Sequence, residues 1–165
     1  SVGNTSARSK FLEVVVKRIL EIENENDFKK ALYNSKAISA DVTSAINPNF
    51  KEVDDPKNSA KLNYGVAIVK YTGIGGKYFA SEASAEYTGY IRNLLNNNNV
   101  IWQVGILGKV DEGGGGTVAM FLAEYGMDII DMGPPILNMH SPFEISSKAD
   151  LYMAYKAYKV FLESE

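Results

Sequence analysis

The chain has 165 residues, 45% hydrophobic and 22% charged, one domain's worth of an ordinary globular protein, and this excludes wholesale disorder. Seventeen basic residues against twenty acidic ones leave a formal charge of −3, which offers no electrostatic case for nucleic acid or an anionic membrane as partner. There are no cysteines, so disulfides, thiolate zinc sites and iron–sulfur clusters are excluded, and no apolar run approaches the roughly 18 residues of a membrane span.

In chain order, the first predicted element is a helix over residues 6–24. Phe11, Leu12, Val15, Val16, Ile19 and Leu20 recur at helical spacing as one apolar stripe, with Lys10, Glu13, Lys17, Arg18 and Glu21 on much of the other face. A polar stretch, 23–30, leads to Ala31, Leu32 and Tyr33. Residues 36–42 (KAISADV) are predicted as a short strand ending at a carboxylate, Asp41, and the turn-rich 47–58 as a surface loop. Residues 64–70 (YGVAIVK) are a buried strand by their β-branched content, broken by 73–76 (GIGG).

A second helix is predicted from Ser81 or Ser84 to Leu95, with Ala83, Tyr87, Ile91 and Leu94 on one face, and the asparagines 96–99 stop it. Residues 100–104 form a further strand. Four glycines, Gly113, Gly114, Gly115 and Gly116, open onto a short apolar helix over 117–123 that closes at Gly126. Residues 127–132 are a strand, followed by Gly133-Pro134-Pro135 and a short run to His140. The last helix starts at Ser147 with Asp150 as its capping-box partner, and Leu151, Ala154, Tyr155, Tyr158 and Leu162 form its inner face. Strands and helices alternate along the whole chain, which argues for an α/β fold, and there is no internal repeat.

Four places could carry chemistry. Glycines before a helix expose main-chain N–H groups beside the positive end of its dipole, which suits an anion or oxyanion; they equally serve as a strand-to-helix turn. Their spacing is neither a Walker loop nor a dinucleotide fingerprint. His140, the only histidine, follows a predicted strand at an edge where α/β folds place functional loops, though a lone histidine is more often structural. Asp41 at its strand end can cap a following helix or bind a metal, and Lys70 after an apolar strand can simply snorkel. These four complete no mechanism by themselves: one histidine makes no His-rich zinc site, and no serine sits on a nucleophile elbow.

Three separated motifs, in order, resemble the aspartyl aminopeptidase and vacuolar aminopeptidase I family: Ile38-Ser39-Ala40-Asp41-Val42 with Asn47-Pro48-Asn49-Phe50; Gly108-Lys109-Val110-Asp111-Glu112-Gly113-Gly114-Gly115-Gly116-Thr117; and Met127-Asp128-Ile129-Ile130-Asp131-Met132-Gly133 running into Met139-His140-Ser141-Pro142-Phe143-Glu144. The match extends over essentially the whole chain. The resemblance implies a zinc-peptidase-like mixed β-sheet flanked by helices, and a cytoplasmic metalloaminopeptidase that removes N-terminal residues from peptides with two zinc-class ions and a glutamate general base. It matches Asp41 and His140 to metal ligands on different ions of the pair. It matches Lys70 to a lysine of the substrate pocket, with Gly114 and Gly115 beside it.

The family's first histidine ligand, its bridging aspartate and its Glu-Glu pair have no counterpart here, and Ser1-Val2-Gly3-Asn4-Thr5 resembles the stretch that follows that pair. By this resemblance residues 1–165 are the C-terminal segment of the catalytic domain, without the inserted dimerisation domain, and the chain alone is expected to be inactive or nearly so. Ser44 stands where many members carry a histidine near the substrate. The family also implies a homo-oligomer for the complete enzyme. A non-catalytic interaction or scaffolding domain on the same fold is the alternative, and a nucleotide-binding domain using the glycine segment ranks behind it.

Overall fold

The computed structural model of the chain describes residues 3–22, 24–75, 77–109 and 111–164. Ser1 and Val2 of the N-terminal motif, Glu23 of the polar stretch, Gly76 of the 73–76 segment and Val110 of the glycine motif lie outside the described residues. The strands are β1 (Lys36–Ser39), β2 (Thr43–Ser44), β3 (Val66–Val69), β4 (Tyr71–Ile74), β5 (Tyr78–Glu82), β6 (Trp102–Val104), β7 (Gly114–Gly115), β8 (Asp128–Gly133), β9 (Pro135–Leu137) and β10 (Ile145–Ser146). The helices are α1 (Phe11–Ile19), α2 (Glu25–Tyr33), α3 (Ala85–Asn97), α4 (Ala119–Ala123) and α5 (Lys148–Glu163).

The central sheet has the order β1-β8-β3-β6, parallel at β1–β8 and β3–β6 and antiparallel at β8–β3. Two small sheets, β10-β9-β2 and β5-β4-β7, complete the set among the described residues. The fold is therefore α/β with mixed sheets and flanking helices, as the sequence predicts. All four residues of β3 are buried, since this strand is covered on both faces and reads as a continuous apolar run. One face of the sheet is closed by Tyr87, Ile91 and Leu95 of α3 and by Ala154 and Ala157 of α5, packed on Val66, Ile68, Ile130 and Met132.

Several boundaries move for identifiable reasons. The polar stretch at 24–33 is a helix, because Asn24 accepts the Asp27 N–H as an N-cap and Phe28 and Leu32 turn inward four residues apart. Gly73 does not break the chain: β4 runs through it into a hairpin with β5, a strand that the expected helix start at Ser81 had absorbed. Ser84 is the true cap of α3, accepting from the Tyr87 N–H, and Leu95 takes the buried place expected of Leu94. Of the helix expected over 117–123, only 119–123 are helical. α1 covers nine residues, none of them buried, and Ile19 of its apolar stripe is 72% exposed.

The inner face of α5 is also rotated from expectation. Ala154 and Tyr158 face the sheet, but Leu151 and Tyr155 are exposed and Leu162 is 80% exposed, while Asp150 is fully buried. Ser147 caps the helix through the Ala149 N–H. Asp150 is not the reciprocal partner of that cap. Its two carboxylate oxygens accept the main-chain N–H groups of Asn63 and Gly65, each at 2.7 Å, so one carboxylate pulls the helix start into the sheet. Gln103 clamps the same loop, exchanging two hydrogen bonds with the Lys61 main chain and giving a third to the Gly65 carbonyl. Gly65 must be glycine: at φ 93° a Cβ would meet the Ile101 carbonyl oxygen at 2.2 Å.

Charge-assisted bonds of this kind contribute about 1.5–3 kcal/mol each when buried. Asp150→Ala should therefore lower the unfolding free energy by about 3 kcal/mol, measured by urea denaturation.

Candidate metal centre

Asp41 sits where two strand pairs meet. β1 runs parallel to β8, and β2 runs parallel to β9, so both chains pass from one sheet into the next at the same level. Asp41 lies in the gap between β1 and β2, opposite the step from Gly133 to Pro135. A Cβ on Gly133 would stand 1.8 Å from the Asp41 carbonyl oxygen, so the two main chains touch there and only glycine allows it. Tyr158 of α5 backs this contact: its hydroxyl donates to the Met132 carbonyl at 2.8 Å. Burial, and secondarily the negative charge of Asp41, push the Tyr158 hydroxyl up to about 12. The Asp41 side chain is exposed and, among the described residues, accepts only the next residue's N–H, at 2.8 Å, so it caps no described helix.

The glycine segment is a strand rather than a helix entry. Gly114 and Gly115 pair antiparallel with Ile74 and Gly73 of β4. Gly114 has φ 108°, and a Cβ there would overlap the Gly73 carbonyl oxygen at 2.0 Å. Gly116 is packed against Phe79, where a Cβ would stand 2.7 Å from the Phe79 Cβ. The expected helix-dipole site is therefore absent: Gly116, Thr117 and Val118 intervene before a helix of five residues.

Two open hollows take up the glycine segment in turn. One is walled by Asp41, Gly116 and Thr117 with Phe79, Met120 and Phe121. The other is walled by His140, Met139, Ser44, Leu107, Gly114 and Gly115. Asp41 and His140 thus belong to neighbouring hollows, and Ser44 stands in the wall shared with His140. His140 has φ 67°, in the left-handed region, and its N–H donates to the Glu144 carboxylate at 2.6 Å. That contact holds the turn and leaves the imidazole exposed.

Lys70 follows β3 and pairs with Glu82 at 2.5 Å across the β4–β5 hairpin. It lines neither hollow. One functional-looking residue was missed from the sequence. Asp131, buried in β8, has one oxygen held by the Thr117 hydroxyl at 2.9 Å, while the other makes no full hydrogen bond among the described residues, the Ser39 hydroxyl of the paired position in β1 being its polar neighbour. Burial raises its carboxyl above the usual range; the Ser39 and Thr117 hydroxyls oppose that, and the charge of Asp41 adds to it. The available signal was a carboxylate in the middle of an otherwise apolar strand, DIIDMG.

Asp41 offers a carboxylate oxygen and His140 an imidazole nitrogen, and zinc takes both donor types. Among the described residues, however, no group of three His, Cys, Asp or Glu side chains comes together. Catalytic zinc needs three protein ligands and structural zinc four. The two residues fit zinc as single contributions, one from each hollow, and form no complete site between them.

Comparison with known proteins gives the same motif order a context. Residues 1–162 match the family described as aminopeptidase I zinc metalloprotease (M18). The "Probable M18 family aminopeptidase 1" of Borrelia garinii subsp. bavariensis is 58% identical over 166 residues, covering 98% of this chain and 36% of that protein. The crystal structure of an M18-family aminopeptidase from Thermotoga maritima superposes with a TM-score of 0.93 at 51% identity, covering 98% of this chain and 37% of that one. Yeast mApe1, whose structure is described as a dodecamer, superposes at 0.79 with 25% identity over 99% of this chain and 35% of its own. The chain spans about 36% of the length of the curated relatives it matches.

Two outcomes are expected from this geometry. Gly133→Ala should force Asp41 and the β1–β2 step apart, costing about 1–3 kcal/mol of stability in denaturant unfolding. Asp131→Asn should raise the melting temperature at neutral pH, because the folded state holds this carboxyl protonated more tightly than the unfolded chain does. Ionisation of the unfolded state therefore draws stability away as pH rises from the ordinary carboxylate range through the raised one. The advantage of Asp131→Asn should accordingly vanish in melts at pH values below that window.

Proposed function

The chain belongs to the aminopeptidase I zinc metalloprotease (M18) family, and from that premise we propose that it supplies one ligand to each of two zinc ions in a peptide-cleaving aminopeptidase. The observation that carries this reading is that Asp41 and His140 line separate hollows whose walls take up successive glycines of one segment, Gly116 in the first and Gly113, Gly114 and Gly115 in the second. The remaining ligands and the glutamate base come, in this proposal, from the portion of the enzyme that the chain does not span. Zinc, when bound, polarises the scissile carbonyl and lowers the pKa of a water.

This chain's own residues position and bind. The Val42 N–H fixes one Asp41 oxygen, and the Gly133 contact fixes the main chain beneath it. Glu144 holds the His140 turn. Gly114 and Gly115 keep their main chain unscreened by side chains, so an extended peptide can approach it closely. Lys70 is half-exposed in its pair with Glu82, and such surface pairs contribute little, so its ammonium is free to turn to a substrate carboxylate.

The complete enzyme is proposed to be a cytoplasmic homo-oligomer acting on peptides. The yeast relative's dodecamer supports the oligomer, as do the apolar side chains left exposed on α1 and the outer face of α5. The absence of cysteine suits a reducing cytosol.

In the full-length protein, Asp41→Ala and His140→Ala should each reduce kcat/KM for a peptide substrate by more than about 100-fold, since even outer-sphere changes at metal sites cost 10–100-fold. The chain by itself should show no turnover with or without added zinc. Wild-type activity in either variant contradicts the proposal.

A further inference from the structure

The turn that carries His140 is built on strained main chain. Asn138 has φ 59° and His140 φ 67°, so two non-glycine residues within three occupy the left-handed region. Such backbone is costly for an L-residue and persists only where its surroundings over-determine it. Part of that determination lies inside the turn. The Asn138 carbonyl accepts the Ser141 N–H at 3.0 Å, the Ser141 hydroxyl donates to the Phe143 carbonyl at 2.9 Å, and the His140 N–H donates to Glu144.

The rest comes from outside it. β2 and β9 run parallel, so the chains beyond them, at Asn47 and Asn138, leave on the same side. The Asn47 amide donates to the Asn138 side-chain oxygen at 3.3 Å, and the Asn138 amide donates in turn to the Phe143 carbonyl at 3.4 Å. Asn47 is itself held. Its main-chain N–H donates at 3.2 Å to Asp54, a carboxylate residue only 3% exposed, and its side-chain oxygen accepts the Asn49 N–H at 2.9 Å. Asp54 and His140 line the same hollow, so this series of bonds joins two of its walls. We propose that Asn47 and Asn138 are positioning residues for His140, clasping its turn to the 47–54 loop so that the imidazole is presented in one direction. This inference rests on the reading of His140 as a zinc ligand. Partners that orient a metal ligand without touching the ion set its affinity, and their loss typically costs about 10–100-fold.

The test is zinc binding by the full-length protein in chelator-buffered zinc, with the variants Asn47→Ala, Asn138→Gly and His140→Ala. Asn138→Gly separates the clasp from the strain, because glycine adopts left-handed backbone freely and has no side chain to clasp with. His140→Ala should abolish one of the two zinc-binding steps, which identifies the step that belongs to this turn. In Asn47→Ala and Asn138→Gly that step should weaken by about 10-fold or more, while the other stays within about twofold and the melting temperature of the zinc-free protein does not fall. An unmoved His140 step in either folded variant overturns the inference and leaves the zinc reading standing. So does a loss in both steps together with a lower melting temperature, which marks a general structural role. Two steps retained in His140→Ala overturn the zinc reading and this inference with it. If Asn138→Gly does not fold, Asn47→Ala decides alone.

Discussion

The main-chain contact between the Asp41 carbonyl and Gly133 Cα is the constraint on which the site depends. Parallel strands joined only by ladder hydrogen bonds keep their main chains nearly 5 Å apart. Here the β1–β2 and β8–β9 connections close to direct contact, because both chains leave one sheet and enter another at the same level. The closure turns Asp41 out of the ladder at the sheet's edge. It also fixes the direction of β9, and hence of the turn that carries His140.

The rest of the molecule supports that crossing from below. Tyr158 bonds the Met132 carbonyl one residue before Gly133, and it belongs to the helix whose start is drawn in by Asp150. Asp131 reaches Thr117 from the same strand, so β8 is tied both to α5 and to the segment after the glycine strand. A lost carboxylate at Asp150 or an added methyl at Gly133 therefore acts on the same geometry from opposite ends.

Most of the fold could be read from the sequence where one face of an element is apolar and its ends are marked. The strand at 64–70, the cap at Ser84 and the long last helix from Ser147 are all of this kind. Two of the misreadings share a cause: the deciding partner was far away in sequence. Asp150 looked like a local cap, but its hydrogen-bond donors are Asn63 and Gly65. The glycines looked like a helix entry, but they pair with β4, forty residues earlier. Of the candidate site, residue type and motif single out Asp41 and His140, whereas Asp131 shows in the sequence only as a carboxylate within an apolar strand, and its burial and its bond to Thr117 are known only from its surroundings.

The central claim is that Asp41 and His140 hold different ions. The most direct measurement is a crystal structure of the full-length protein with diffraction data on either side of the zinc absorption edge. The account predicts two anomalous peaks, one about 2.0–2.2 Å from an Asp41 carboxylate oxygen and the other about 2.0–2.1 Å from a His140 ring nitrogen. A single ion held by both residues, or zinc bound away from either, would contradict it.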